Sequence, residues 1–208
     1  MRNEPGKPDR RRLIEEVRAE AESGSAEAQL DLADRFMLGD GVARDHEAAY
    51  RWLRKAAEAG LAEAQSKVGF CLFYGHGAEL DPRSGLRWFL KGLRGGYAKA
   101  GYNLGDAYWK GLHVARRPRR AWFFFSRAVA LGQEDACYGL AALAYSGLGV
   151  PKDVPKSVEY LRRAVRSGSA EAMASMARLF RLGTVGLEEL RSEERRVGKE
   201  GRSRGWPY

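Results

Sequence analysis

The segment LGDGVARDHEAAYRWLRKAAEAG at residues 38–60 decides the fold, because YSGLGVPKDVPKSVEYLRRAVRSG at 145–168 follows the same pattern. Aligning the chain with itself shows that both segments belong to a 36-residue unit that recurs without gaps. Positions 14 and 35 of each unit are Gly throughout. A fixed period of this length is the signature of a repeat architecture. Repeats 1 to 4 are residues 26–61, 62–97, 98–133 and 134–169, and a fifth opens at Ala170.

Each repeat predicts two amphipathic helices. Positions 3, 7, 8 and 11 are apolar or small and form one stripe at helical spacing. The Gly at position 14 ends the first helix, and Asp45, Asp81 and Asp153 at position 20 are suitable N-caps for the second. A ring at position 27 precedes a small residue at position 31, which predicts packing between helices. These rings are Trp52, Trp88, Phe124 and Tyr160. Two such helices cannot bury their apolar faces alone, so we expect stacked repeats that form an α-solenoid.

These segments, together with AEAQ at 26–29 and 62–65, resemble Sel1-like repeats, which are relatives of the tetratricopeptide repeat. The resemblance covers residues 13–187. It implies an all-α, right-handed solenoid of antiparallel helix pairs that serves as a scaffold for protein–protein interaction without catalysis. Repeat 3 departs from the pattern because Arg117 replaces the capping Asp and His113 replaces a Gly. We therefore expect the turn and the start of the second helix of repeat 3 to be perturbed.

The repeat register divides the rest of the chain. We expect a disordered basic segment over 1–12, a capping helix over 13–25 and a truncated fifth repeat over 170–190. The tail at 191–208 loses the register and carries six Lys and Arg against three Glu. Its first ten residues, RSEERRVGKE, resemble the translation of a sequencing-library adapter in one reading frame. Two interpretations remain for the tail, read-through from a truncated fragment and a genuine basic tail.

Composition narrows the class of protein. The chain has 208 residues, of which 44% are hydrophobic and 30% charged, which favours a packed core over disorder. Two Cys exclude a disulfide-stapled scaffold. No apolar run approaches a membrane span and no signal peptide is visible. We therefore expect a cytoplasmic, bacterial, monomeric protein that does not associate with membranes. The net charge of +9 favours acidic partners, but charge alone is weak support for nucleic acid.

The residues that could carry chemistry are sparse. His46, His76 and His113 fall in or beside the turn between helices and lack the spacing of a metal-ligand motif. We interpret them as polar turn residues, and we interpret Cys71 and Cys137 as small buried residues. One cysteine-rich branch of the Sel1-like family has been linked to β-lactam hydrolysis, but neither its paired Cys nor an S-x-x-K motif is present. The sequence thus predicts no enzyme, no catalytic residue, no metal and no cofactor.

Positions 5, 9 and 12 of the first helices predict the partner-binding site. They lie on one helix face next to the core stripe, and in tetratricopeptide-like superhelices this face lines the concave groove. Aromatic and Arg side chains, which dominate binding hot spots, are frequent there. Two interpretations stay open, contact with a partner protein and packing between neighbouring repeats. Asp34 and Asp106 would meet basic groups of the partner and two arginines acidic ones. The candidates are Met37, Phe70, Phe73, Tyr102, Asp106, Trp109, Tyr138, Tyr145, Arg178 and Arg181.

The loop ARRPRR at 115–120 is the second candidate site. Four arginines crowd one turn and the following helix start, where they could hold a phosphate, an acidic peptide or nucleic acid. The alternative is a solvated loop at the edge of the solenoid. These arginines are Arg116, Arg117, Arg119 and Arg120.

Overall fold

The computed structural model describes residues 10–181, which are helical apart from short turns. The N-terminal residues 1–9, residues 182–190 of the truncated repeat and the tail at 191–208 lie outside this range. The described helices are α1 (Arg10–Glu22), α2 (Ala26–Leu38), α3 (His46–Glu58), α4 (Ala62–Tyr74), α5 (Pro82–Arg94), α6 (Ala98–Lys110), α7 (Pro118–Ala130), α8 (Ala136–Ser146), α9 (Val154–Arg166) and α10 (Ala170–Arg181). Helix α1 begins within the segment for which the sequence predicts disorder.

The chain divides at Leu104 and Gly105 into two compact units, which are described separately below. In unit 1 (residues 1–104) the consecutive pairs α1–α2, α2–α3, α3–α4 and α4–α5 pack against each other. In unit 2 (residues 105–208) the same holds from α7 to α10. The described residues contain no strand. The predicted all-α class and the packing of consecutive helices are thereby confirmed.

The helix ends form as their sequences predict. Carboxylate oxygens of Asp45, Asp81 and Asp153 accept the N–H three residues later at 2.9 to 3.0 Å, which satisfies a donor at the start of α3, α5 and α9. In repeats 1 to 4, position 14 ends the first helix in the left-handed conformation, as at Gly75 with φ 74°. Helix α7 also forms, although Arg117 makes no side-chain cap, because its N–H donates to Tyr108 O at 2.9 Å. The expected perturbation of repeat 3 is therefore confined to the missing cap and to His113, which adopts φ 55°.

Position 28 holds the centre of each helix pair. Leu53, Phe89, Phe125 and Leu161 occupy it, and all four are buried. The predicted rings at position 27 are only partly buried. Position 8 of the same repeat faces this core: Ala33 shares a cluster with Leu53 and Ala141 with Leu161, whereas Gly69 lies against Phe89 and Gly105 against Phe125. A smaller residue at position 8 thus makes room for a larger one at position 28.

The AEAQ segment joins one repeat to the element before it. The side-chain amide of Gln65 donates to Ala57 O at 3.2 Å, and that of Gln29 donates to Ala21 O at 3.1 Å. Both acceptors are carbonyl groups near the end of the preceding second helix. The Gln at position 4 therefore gives this carbonyl a second donor beside the backbone N–H of Gly24 or Gly60, and it ties the start of the first helix to the end of the helix before it.

Candidate functional site

A cleft of about 180 Å³ opens in unit 2 between the first helices of repeats 4 and 5. Helix α8 supplies Tyr138 and Tyr145, which lie two turns apart on one face, and α10 supplies Arg178. Helix α9 forms the floor. There the buried hydroxyl group of Ser157 is satisfied, because its Oγ donates to Ala141 O at 2.9 Å. Three of the predicted site residues therefore line one cavity. The full lining is Tyr138, Ala141, Ala142, Tyr145, Ser157, Leu161, Ser175, Arg178 and Leu179.

The surroundings of the cleft are basic. Arg178 and Arg181 are exposed on α10, and Lys152 Nζ lies 5.6 Å from the centre of the Tyr145 ring. Between residues 105 and 181 the sequence has thirteen Lys and Arg against six Asp and Glu, whereas between 10 and 104 it has fifteen against fourteen. Nearly all of the net charge of the described residues thus belongs to unit 2, which favours an acidic ligand there.

Trp109 and Tyr138 meet edge to face in unit 2, with ring centres 6.0 Å apart. Trp109 also packs edge to face on the buried ring of Phe125 at 6.0 Å. Both Trp109 and Tyr138 are partly buried. Packing between helices therefore accounts for much of the surface of Trp109, while Tyr138 turns part of its surface to the cleft and Tyr145 is 38% exposed.

Both acidic side chains of the predicted groove are paired with lysines. Asp106 is only 9% exposed and its carboxylate accepts an ion pair from Lys110 Nζ at 2.8 Å. Asp34 of unit 1 is bound by Lys67 Nζ at 2.6 Å. Burial alone would lower the pKa of Lys67, but the hydrogen bonds to Asp34 and Glu63 outweigh burial and raise that pKa. Each carboxylate thus already has a lysine partner, and the contact with a basic partner protein stays a prediction.

Phe73 also leaves the predicted site. Its side chain is 1% exposed and packs in unit 1 against Phe89, with ring centres 5.9 Å apart. A partner protein cannot contact a ring that is buried in this way. Tyr102 is half-buried beneath Lys99, whose ammonium lies 4.7 Å from the centre of the Tyr102 ring. For these two residues the packing interpretation accounts for the ring.

A second group of side chains meets at the surface of unit 1, and the sequence spacing does not reveal it. Met37 Sδ lies 3.4 Å from His46 Nδ1, and the rings of His46 and His76 meet edge to face at 6.3 Å. Phe70, which is 37% exposed, stacks on His76 at 5.3 Å and 10°. Within residues 10–181 no cluster of three His, Cys, Asp or Glu side chains is placed to hold a metal ion. The group of Met37, His46 and His76 is not such a cluster, because one of its three possible donors is the thioether of Met37.

Two arginines of the loop at 115–120 donate hydrogen bonds to residues of the preceding helix α6. Arg116 Nε donates to Trp109 O at 2.9 Å, and Arg120 reaches the Tyr108 hydroxyl at 3.3 Å. All four arginines of the loop are exposed. Arg117 precedes α7 and Arg119 lies in its first turn. Two of the four thus have partners in unit 2, which weakens the prediction of an anion site at 115–120.

Buried thiols make poor nucleophiles here. Cys71 and Cys137 are free and buried, and burial raises the pKa of Cys71 to about 11 and that of Cys137 to about 12.

No helix within residues 10–181 has both the length and the apolar character that crossing a bilayer requires.

Comparison with known proteins identifies the repeat. A family model described as the Sel1 repeat matches residues 26–61, 62–97, 98–133 and 134–169. Among solved structures, a Sel1 repeat protein from Oxalobacter formigenes is 29% identical with a TM-score of 0.71, covering 82% of this chain and 49% of that one. The protein c5321, a protective antigen of uropathogenic Escherichia coli with an SLR fold, is 27% identical with a TM-score of 0.66, covering 82% and 44%. The chain thus spans about half the length of these two proteins. No curated protein matches the sequence.

Proposed function

Because this chain belongs to the Sel1 repeat family, we propose that it is a non-catalytic interaction scaffold whose unit 2 binds a segment of a partner protein. The cleft between α8 and α10 carries this proposal, since it brings together two tyrosines and an arginine on one face. Tyrosine rings supply much contact area at little entropic cost, and arginine is frequent at binding hot spots. The resemblance to Sel1 structures supports the same class of function.

The size of the cleft favours a side chain over a small molecule. Sites for drug-sized ligands occupy about 300 to 1,000 Å³, whereas this cleft measures about 180 Å³. Its apolar lining, which includes Leu161 of α9 and Ala141 of α8, suits one aliphatic or aromatic side chain. We therefore expect the partner to insert a single apolar residue between Tyr138 and Tyr145.

The basic side chains around the cleft indicate which residues of the partner flank the inserted side chain. Arg178 lines the cleft and Lys152 lies beside Tyr145. Both are basic side chains, and each could pair with a carboxylate of an extended peptide. The proposed ligand is thus an acidic segment that carries one large apolar residue.

A peptide library displayed on phage and selected against the full chain tests this proposal. We expect enrichment of Asp or Glu next to Leu, Ile or Phe. For the selected peptides, Tyr145→Ala and Arg178→Glu should each weaken binding at least tenfold, or about 1.4 kcal/mol. Phe123→Ala is the matched control, because Phe123 is a 57% exposed ring on the second helix α7. Equal binding by all variants, or selection of peptides without acidic residues, would contradict the proposed site.

A further inference from the structure

The end of α2 and the start of α3 place a thioether beside an imidazole in unit 1. The N–H of Asp45 donates to Phe36 O at 3.0 Å, so the chain returns to the end of α2 as α3 begins. Met37 and His46 are the next residues along the two helices, which brings Met37 Sδ and His46 Nδ1 to 3.4 Å. The backbone therefore brings the two residues together, and their side-chain rotamers complete the contact.

A close backbone contact sets the place of the second imidazole. Gly77 has φ 70°, and a Cβ at that position would collide with the carbonyl group of His46. Only Gly fits between the two segments, so the turn of repeat 2 rests directly on the first residue of α3. His76 precedes Gly77 and therefore lies beside His46, and stacking on Phe70 orients its ring.

The spacing and the chemistry of the donor atoms indicate which kind of metal ion they could bind. With bond lengths like those of zinc sites, about 2.3 Å to sulfur and 2.0 Å to nitrogen, donors on one metal at 105–120° stand about 3.4 to 3.7 Å apart. The observed 3.4 Å between Met37 Sδ and His46 Nδ1 matches this separation. The ring centres of His46 and His76 are 6.3 Å apart, so the exposed His76 ring must move about 1 Å closer for both imidazoles to bind one ion at these angles. Thioether sulfur selects soft cations, whereas imidazole accepts most transition metals.

We propose that Met37, His46 and His76 bind one soft monovalent cation, Cu(I), through one sulfur and two imidazole nitrogens. Cu(I) accepts three ligands, so no carboxylate or thiolate is needed. His46 and His76 are exposed and Met37 is partly exposed, so the cation can enter without unfolding of the helices. The site belongs to unit 1 and is independent of the cleft proposed for peptide binding in unit 2.

Titration of the full chain with Ag⁺, a soft cation that stays monovalent in air, tests the site. In two-dimensional NMR spectra we expect shifts of the Met37 methyl group and of both imidazole rings, complete at one equivalent. Competition with a chromogenic Cu(I) chelator under reducing, anaerobic conditions then gives the Cu(I) affinity. Met37→Leu, His46→Gln and His76→Gln should each lower this affinity at least tenfold.

Matched controls separate the site from general metal uptake. Met173→Leu and His113→Gln remove an exposed thioether and the third histidine from unit 2, and both should leave the affinity unchanged. Zn²⁺ at the same concentration should produce much smaller shifts, because the thioether is a poor ligand for it. Three outcomes would overturn the proposal: unchanged affinity in Met37→Leu, equal losses in the two control variants, or Ag⁺ shifts centred on Cys71 or Cys137.

Discussion

The ring of Phe125 lies flat against the backbone of Gly105, so that a Cβ built on Gly105 would stand 2.5 Å from Phe125 Cδ1. Phe125 is 1% exposed and also touches Gly139 on α8. In repeat 4 the equivalent pair is Ala141 and Leu161, which share one core cluster. Repeat 3 combines the smaller residue Gly105 with the larger Phe125, whereas repeat 4 combines Ala141 with the smaller Leu161. In each pair the size of one side chain limits the size of the other.

Exchange of this pair tests the packing rule. Gly105→Ala should cost about 1 to 3 kcal/mol of unfolding free energy because the core is overpacked. Phe125→Leu should cost about 1 kcal/mol or more because it leaves a cavity. In the double variant the two changes compensate, and a double-mutant cycle should give a coupling of about 1 kcal/mol or more. Denaturant unfolding of the four proteins measures these values. Additive losses would show that Gly105 and Phe125 do not share one packing site.

The missing cap of α7 offers a stabilising change. Arg117 has φ −138° and ψ 84°, close to the −135° and 82° of the capping residue Asp81. An Asp at 117 would therefore place its carboxylate oxygen near the N–H of Arg120. We expect Arg117→Asp to raise the unfolding free energy by about 1 kcal/mol and Asp81→Ala to lower it by a similar amount.

Arg117→Ala separates the cap from the removal of a positive charge. It should stay within about 0.5 kcal/mol of the parent protein, as expected for a surface substitution. If Arg117→Ala stabilises the protein as much as Arg117→Asp, relief of repulsion among the arginines, and not capping, accounts for the gain. Thermal unfolding at two salt concentrations would show the same distinction, because repulsion is screened by salt.

The sequence predicts the helices well because local chemistry determines them. Glycine at position 14 and Asp45, Asp81 and Asp153 act through hydrogen bonds within a few residues, and all behave as expected. The core is less readable from the sequence. The period alone does not separate position 27 from position 28, and the helices turn position 28 inward.

The candidate sites show the same limit. Tyr138, Tyr145 and Arg178 follow from helix spacing, and the structure does place them around one cleft. Phe73 shares that spacing, but the small residue Gly85 lets α5 approach closely, and the ring is buried between the helices. His46 and His76 belong to different repeats, and their proximity depends on the turn at Gly77, so no linear spacing reveals it.

The two thiols should report the opening of the two units. Burial raises the pKa of Cys71 from the ordinary 9.0 to about 11, so the folded protein holds about a hundredfold less thiolate. Steric protection slows the reaction further, since both side chains are 0% exposed. We expect a thiol reagent at pH 8 to label folded protein at least about a hundredfold more slowly than unfolded protein.

Single-cysteine variants make this measurement specific. Cys137→Ser leaves Cys71 to report unit 1, and Cys71→Ser leaves Cys137 to report unit 2. Labelling rates that rise with denaturant would show that each thiol reacts after local opening. Fast labelling of either variant in native buffer, with circular dichroism unchanged, would contradict the burial of that residue.

The ion pair between Glu134 and Arg163 predicts how acid affects unit 2. Arg163 donates to the Glu134 carboxylate through Nε at 3.1 Å and Nη2 at 2.8 Å, and this hydrogen bonding is the main reason that the pKa of Glu134 is lowered from the ordinary 4.5. A carboxylate with a lowered pKa in the folded state stabilises the protein fully above its unfolded pKa and loses that contribution as the pH falls. Both side chains are about one-third exposed, so we expect the ion pair to contribute no more than about 1 kcal/mol of unfolding free energy.

The difference in unfolding free energy between the parent protein and Glu134→Gln should therefore be constant at neutral pH and should shrink below pH 4.5. Glu159→Gln, an exposed change on α9, is the control and should show no such trend. A difference that stays constant down to acid pH would show that the Glu134 side chain acts through packing and not through its charge.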